Sequence, residues 1–175
     1  RNTRRQRQMC IRDRSNIGPI EIVPSITEHA DYLHTRLRKT DMREIWLHEA
    51  DPSEALHCPL QYNHKTMTAL INGKPLCMFG TVGIDDTNDA IVWALGSELI
   101  NKHKKSFYKA SLKVVHMLQG DYKTIWNIVP YDHLETINWL QKLGFTVAEE
   151  YISLKNIPML YFSRCNKEKS MTTVH

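Results

Sequence analysis

Asn72-Gly73 constrains this chain most. It sits between the strand-like run Thr66 to Ile71 and a second apolar run that resumes at Leu76. Both positions tolerate positive φ, so the dipeptide dictates a two-residue hairpin. The return strand spans Leu76 to Ile84, after Lys74-Pro75. Asp85-Asp86-Thr87-Asn88 is a polar turn, and Asp89 to Leu95 comes back as a third strand of the meander. Its stretch Ala90-Ile91-Val92-Trp93-Ala94-Leu95 is apolar throughout, which predicts a central position in the sheet.

Helix signals flank the meander on both sides. Ile20 to Val23 is a short β-rich run ending at Pro24. Ser25-Ile26-Thr27-Glu28 reads as a capping box, the Ser25 hydroxyl accepting from the Glu28 N–H. Ile26, Ala30, Leu33 and Leu37 follow on one helical face. Thr40 and Asp41 restart a helix with Met42, Ile45 and Trp46 on one side. Asp51-Pro52-Ser53-Glu54 opens another, with Pro52 at the first helical position, and Pro59 is expected to stop it. Beyond the meander, Phe107, Ala110, Val114 and Leu118 mark a helix ending near Gly120. Thr124 to Val129 is a strand. Asp132-His133-Leu134-Glu135 reads as a further capping box, and its helix stops at Gly144, a C′ glycine. Phe145 to Glu149 and Met159 to Ser163 are strands. The predicted order is β-α-α-α-β-β-β-α-β-α-β-β, an α/β (α+β) mixed sheet flanked by helices. It makes a single domain over residues 16–165, followed by a polar, frayed tail over 166–175.

Composition excludes several classes. The 175 residues are 42% apolar and 24% charged, enough for one core without disulfide staples. No run of 18 apolar residues exists, so no transmembrane helix and no membrane partner are expected. The net charge of +4 is local: residues 1–15 hold six arginines against Asp13, and the rest of the chain is close to neutral, at −1. Within the leader, Met9-Cys10-Ile11-Arg12-Asp13-Arg14 resembles translated sequencing-adapter read-through of metagenomic reading frames; the other reading is a basic arm. It has neither apolar periodicity nor a signal-peptide apolar region, so it adds nothing to a core. Elsewhere the charge is asymmetric. Residues 16–61 carry eight acids and four bases, whereas Glu98 to Lys123 carries six lysines and two acids. The basic stretch near Trp126 is the one feature favouring nucleic acid; the asymmetry fits a dipolar surface that docks protein equally well, and nucleic acid is the less expected partner. Cys58, Cys77 and Cys165 are widely spaced with no C-x-x-C, and the histidines form no H-x-x-x-H, so no metal is expected. His57 and His64 flank a loop in this reading.

Trp139-Leu140-Gln141-Lys142-Leu143-Gly144-Phe145, in that element order, resembles the closing motif of the GNAT (Gcn5-related N-acetyltransferase) fold. A narrower resemblance covers Asp41 to Phe145. Asp41-Met42-Arg43-Glu44-Ile45-Trp46, Trp93-Ala94-Leu95-Gly96-Ser97, the basic segment before Phe107 and Asn127-Ile128-Val129 look like the GNAT-like virion-assembly, or internal virion, proteins of short-tailed phages.

The resemblance implies a set of site residues, and the departures bear on each. A working GNAT places R/Q-x-x-G-x-G/A after its fourth strand, where backbone N–H groups close on the acetyl-CoA pyrophosphate. Here the interval runs from Gly96 to Lys105, and Gly96 is its single glycine. Lys102, Lys104 and Lys105 are the available phosphate-binding charges, or else a solvated basic helix start. Leu95, Gly96 and Ser97 would pair with the pantetheine amide. The family's tyrosine four residues before the closing glycine is Leu140, which has no proton to give. Glu98 is the one weak candidate base, and equally a helix-start charge. Two functions follow. The first is a non-enzymatic role in virion assembly, with no cofactor, other phage virion proteins as partners, and a place in the host cytoplasm during assembly or in the virion. The second is a divergent acetyl-CoA-dependent N-acetyltransferase. Deleting residues 1–15 is expected to leave the melting temperature unchanged within error; a drop of several degrees would show that the leader is part of the fold.

Overall fold

In a computed structural model, the described residues are 19–62 and 65–167. The basic leader, His64 and residues 168–175 lie outside them. The chain builds β1 (Glu21–Pro24), α1 (Thr27–Leu33), α2 (Lys39–Leu47) and α3 (Pro52–Gln61). The meander β2 (Lys65–Ile71), β3 (Lys74–Gly83) and β4 (Asp89–Gly96) follows. Then come α4 (Leu99–Lys102), α5 (Lys104–Gln119), β5 (Thr124–Pro130), α6 (Leu134–Lys142), β6 (Thr146–Leu154) and β7 (Ile157–Cys165). One seven-stranded sheet results, in the order β1-β2-β3-β4-β5-β7-β6. Its neighbours are antiparallel except for β4 and β5. The apolar β4 is the fourth of seven strands, at the centre, as its sequence requires. Relative to the predicted order, the addition is the one-turn helix α4.

Strand alternation sends two sets of side chains to opposite faces. Met78 and Leu95, paired across β3 and β4, pack with Ala30, Leu33, Ile45 and Leu56 under α1–α3. Cys77, Phe79 and Ala90 point the other way and pack with Val115, Leu118, Ile125, Val129, Leu140 and Phe162 under α5 and α6. The Asn72-Gly73 turn takes φ of 49° and 75°, as expected for the hairpin. A second hairpin of the same kind joins β6 to β7 through Lys155 (φ 49°) and Asn156 (φ 62°). The sequence pattern ends β6 at Glu149 and carries no sign of this turn, because Lys-Asn holds no glycine.

Several local expectations are corrected. Ser25 does not cap α1; its hydroxyl is 2.8 Å from that of Thr68 on β2, and α1 begins one residue later. There the Ile26 N–H donates to His29 Nδ1 instead. Leu37 lies beyond α1 and bridges to Ser97. In α2 the buried side is Asp41, Ile45 and Leu47, while Met42 and Trp46 face out. Pro59 lies inside α3, which runs two residues further; the proline withholds its own N–H but leaves later ones free to bond. His57 is on α3, not at a loop, and is 2.7 Å from Asp31 of α1. Its hydrogen bond to the Ser53 carbonyl, then the one to Asp31, raises its pKa. Asp132 does not cap α6; both of its oxygens accept from Arg43 at 3.0 Å. Asn166, read as tail, is held by Lys123 and Gly120.

The closing motif folds as its residues demand. Gly144 takes φ 89°, its N–H bonds the Gln141 carbonyl, and the Phe145 N–H reaches back to Leu140. These two bonds define a Schellman cap, with buried Leu140 and Phe145 as its apolar contact. A Cβ at Gly144 would sit 3.4 Å from Arg164 Nε. Gly144→Val is expected to lower stability by roughly 1–2 kcal/mol or more, since a β-branched residue resists this φ. A chemical-denaturation midpoint equal to wild type would contradict this end for α6.

Candidate functional site

The site lies where the central strands part. β4 and β5 pair in parallel only over Asp89–Ile91 and Thr124–Trp126. At the next rung the Asn127 carboxamide stands in for the ladder. Its Nδ2 donates to the Val92 carbonyl at 2.7 Å, and its Oδ1 accepts from the Ile128 N–H at 2.8 Å. One side chain thus satisfies a donor and an acceptor that diverging strands would otherwise orphan. Beyond it β4 and β5 separate, and a cleft opens that is part of a cavity of about 1050 Å³ reaching under α2 and α3 to Ala50, Ala55 and Pro59. Val92, Ala94, Leu95, Val129, Phe107 and Trp139 are among its apolar walls.

The far end of β4 is closed by α2. The Gly96 N–H donates to Asp41 Oδ2 at 2.8 Å, and the Gly96 carbonyl accepts from the Arg38 N–H at 2.9 Å. Asp41 also takes the Arg38 guanidinium in a bidentate pair, at 3.0 and 3.1 Å. Its side chain is 5% exposed. Burial alone would pull the Arg38 pKa down; the charge and hydrogen bond of Asp41 outweigh it and raise it. Opposite, Ser97 turns to β3, its N–H and hydroxyl both donating to the Leu76 carbonyl. A Cβ at Gly96 would meet the Ile100 Cδ1 methyl, the far end of that side chain, which would have to turn aside. Beneath the strand end, burial pushes the Cys77 thiol up to about 12, so it is not a thiolate nucleophile at neutral pH.

The expected site residues separate into two groups. Leu95, Glu98, Lys104 and Lys105 line the cleft; Gly96, Ser97 and Lys102 are not in its wall. Glu98 accepts from Asn101 Nδ2 at 2.7 Å across the short α4. Lys104 pairs with Glu135 of α6, and that hydrogen bond, then the charge, lowers the Glu135 pKa. Lys105 is exposed and has no ion-pair partner among the described residues. Leu140 is buried in the helix cap. Trp139 stacks on Phe107 at 5.8 Å, and its Nε1 is buried without a hydrogen-bond partner among the described residues. At the α2–α6 junction His133 sits between Arg43 and Glu44. Its Nε2 is 3.4 Å from Arg43, and its Nδ1 is 3.4 Å from Glu44 but not aligned for a hydrogen bond.

Sequence reasoning missed the residues that shape this site. Arg38 and Asp41 carry a legible signal, an oppositely charged i,i+3 pair. Asp41 lies one turn before buried Ile45, which puts a carboxylate on the inward face. Nothing in the sequence marks Asn127 as the wedge, because its partners lie across a strand register. Among the described residues no three His, Cys, Asp or Glu gather as a metal-ligand set, and no helix is long and apolar enough to cross a membrane.

The architecture is that of a GNAT acetyltransferase. Aminoglycoside acetyltransferase AAC(6')-Ib in complex with ribostamycin and coenzyme A matches at a TM-score of 0.65 and 16% identity, over 90% of this chain and 99% of that one. The GNAT-family acetyltransferase of Bacillus anthracis matches at 0.64 and 10%, over 86% and 96%. The Escherichia coli ribosomal-protein-S18-alanine N-acetyltransferase matches at 0.60 and 12%, over 83% and 93%. At these identities the likeness is one of fold alone. Residues 65–152, half of the chain, match the family described as "Bacteriophage T7, probable scaffold protein Gp13", and the chain belongs to that family. The matched span runs from β2 into β6 and holds the two parting strands and most of the cleft wall; Arg38 and Asp41, which also line the cleft, fall before it. No curated protein matches the sequence.

Asp41→Ala is expected to cost roughly 2–4 kcal/mol, because it strands the Arg38 charge and leaves the Gly96 N–H unsatisfied. Urea denaturation measures this, and a loss under about 0.5 kcal/mol, the ordinary effect of a surface substitution, would contradict the contact.

Proposed function

We propose that this protein works in phage virion assembly as a non-enzymatic module on a GNAT scaffold, of the internal virion protein kind. Other virion proteins are its partners, and it acts in the host cytoplasm during assembly or within the particle. Family membership supports the assembly role. The observation that carries the non-enzymatic part is Asp41 on the Gly96 N–H. A pantetheine arm pairing along Leu95 to Ser97 meets a strand end whose outward N–H is already taken by Asp41 of α2 and whose carbonyl is taken by the N–H of Arg38, the residue before α2. Displacing a charge-assisted hydrogen bond of this kind costs about 1.5–3 kcal/mol.

The residues present do not fit acetyl-CoA well. The interval after β4 offers one glycine, held against Ile100, and the four-residue α4 in place of a nest. Of the three lysines, Lys104 is spoken for by Glu135 and Lys102 is outside the cleft wall. Leu140 supplies no proton, and Glu98 is turned to Asn101. Fold does not fix function, and a scaffold retained without its chemistry is consistent with each of these facts.

A divergent acetyl-CoA-dependent N-acetyltransferase is the second reading, and the open cleft between β4 and β5 is what favours it. Direct attack of an amine on a thioester needs proximity above all, so sparse acid–base equipment does not forbid it. Calorimetry with acetyl-CoA at physiological salt separates the two. The non-enzymatic reading expects binding no tighter than about millimolar, equivalent to roughly 4 kcal/mol. Low-micromolar binding that disappears in the Lys104→Glu/Lys105→Glu double variant would overturn it.

A further inference from the structure

Charge is divided between the two sides of the sheet. Under α1–α3 the helices cover the face that carries Met78 and Leu95; α5 covers the opposite face, packing on Ile125 and Val129. On α5, Lys105, Lys109 and Lys113 recur every four residues and are all exposed, so they form one outward row. On the other side, Glu28, Asp31, Asp51 and Glu54 are exposed on or just before α1 and α3, two helices that pack together. Most other charges nearby cancel internally: Arg38 with Asp41, Arg43 with Asp132, Lys155 with Glu49 and Lys104 with Glu135. Arg36, which lies over the Tyr32 ring, and Lys39 are exposed cations on the acidic side, and His57 stands 2.7 Å from Asp31; Glu28, Asp51 and Glu54 have no ion-pair partner among the described residues.

We propose that copies of this chain stack head to tail, the α5 lysine row of one copy against the acidic α1/α3 face of the next. The argument is charge complementarity between two faces of one molecule. Like faces repel, so a two-fold symmetric dimer through either face is disfavoured, and the acid-to-base contact is the one left. Because the two faces point away from each other, that contact does not close on itself and adds copies in one direction. Neither face includes the strand end at Gly96; Lys105 also lines the cleft, whereas Lys109, Lys113 and the four acids lie outside its wall.

Sedimentation velocity on the full chain tests it. The Debye length is about 30 Å at about 0.01 M salt and about 3 Å at about 1 M. At the lower salt the weight-average mass is expected to at least double as concentration rises; at the higher it returns to that of one chain. Lys105→Glu/Lys109→Glu/Lys113→Glu makes both faces acidic, and Glu28→Lys/Glu54→Lys makes both basic. Each variant alone is expected to stay monomeric at low salt, with thermal melts confirming that it is folded, and their equimolar mixture to associate. A wild-type chain that is monomeric at every salt overturns the proposal. So does association that persists in the α5 variant, which would assign the acidic face to the basic residues 1–15 of a neighbour. Association abolished by nuclease would assign the lysine row to nucleic acid and overturn it equally.

Discussion

One carboxylate ties the helical layer to the end of the central strand. Asp41 is buried on α2, takes the Arg38 guanidinium with both oxygens, and accepts the Gly96 N–H. A charge so buried is tolerable only when fully partnered, so the three groups fix one another. The position of α2 follows, with Ile45 in the same buried cluster as Leu95 and Met78. So does the course of the chain from Leu37 to Arg38, which runs beside Ser97 and Gly96 as a short extra strand contact.

The same interaction decides what the parted strands can do. In β4 the groups that face β5 are satisfied at both ends of the split, at Val92 by the Asn127 carboxamide and at Gly96 by α2. The cleft between keeps apolar walls, a pair of stacked rings and charges of both signs, some paired, as Lys104 with Glu135, and some not, as Lys105. A GNAT architecture is thus present in which the Val92 carbonyl and the N–H and carbonyl of Gly96 are bonded internally. The fold is shared with acetyltransferases, and the chain belongs to a phage scaffold family.

Much of the fold is legible in the sequence because its signals are local. Asn72-Gly73 sets a hairpin, the unbroken apolar run from Ala90 to Leu95 sets the central strand, and Gly144 sets a helix cap. Each depends on residues a few positions apart. Errors arose where a polar side chain had two possible uses. Ser25 and Asp132 both stand where a cap would, yet Thr68 and Arg43, distant in sequence, claim them. Trp46 has the apolar character of a core residue but lies outside, because the inward face of α2 was taken by Asp41. The site was hardest to read for the same reason. Lys104 and Glu98 are nameable from spacing to a strand end, whereas the bonds that engage them, to Glu135 and Asn101, are settled by packing.

The claim that the chain itself occupies the end of β4 is tested most directly at one amide. Gly96 gives a distinct nitrogen-15 resonance, and its N–H reports the Asp41 bond. The account expects that amide to be strongly protected from solvent exchange. It also expects the resonance to keep its position as acetyl-CoA is added well beyond the protein concentration. A progressive shift of Gly96 together with Ala94, saturating with acetyl-CoA, would contradict it, because the ligand would then have displaced Asp41 from the strand.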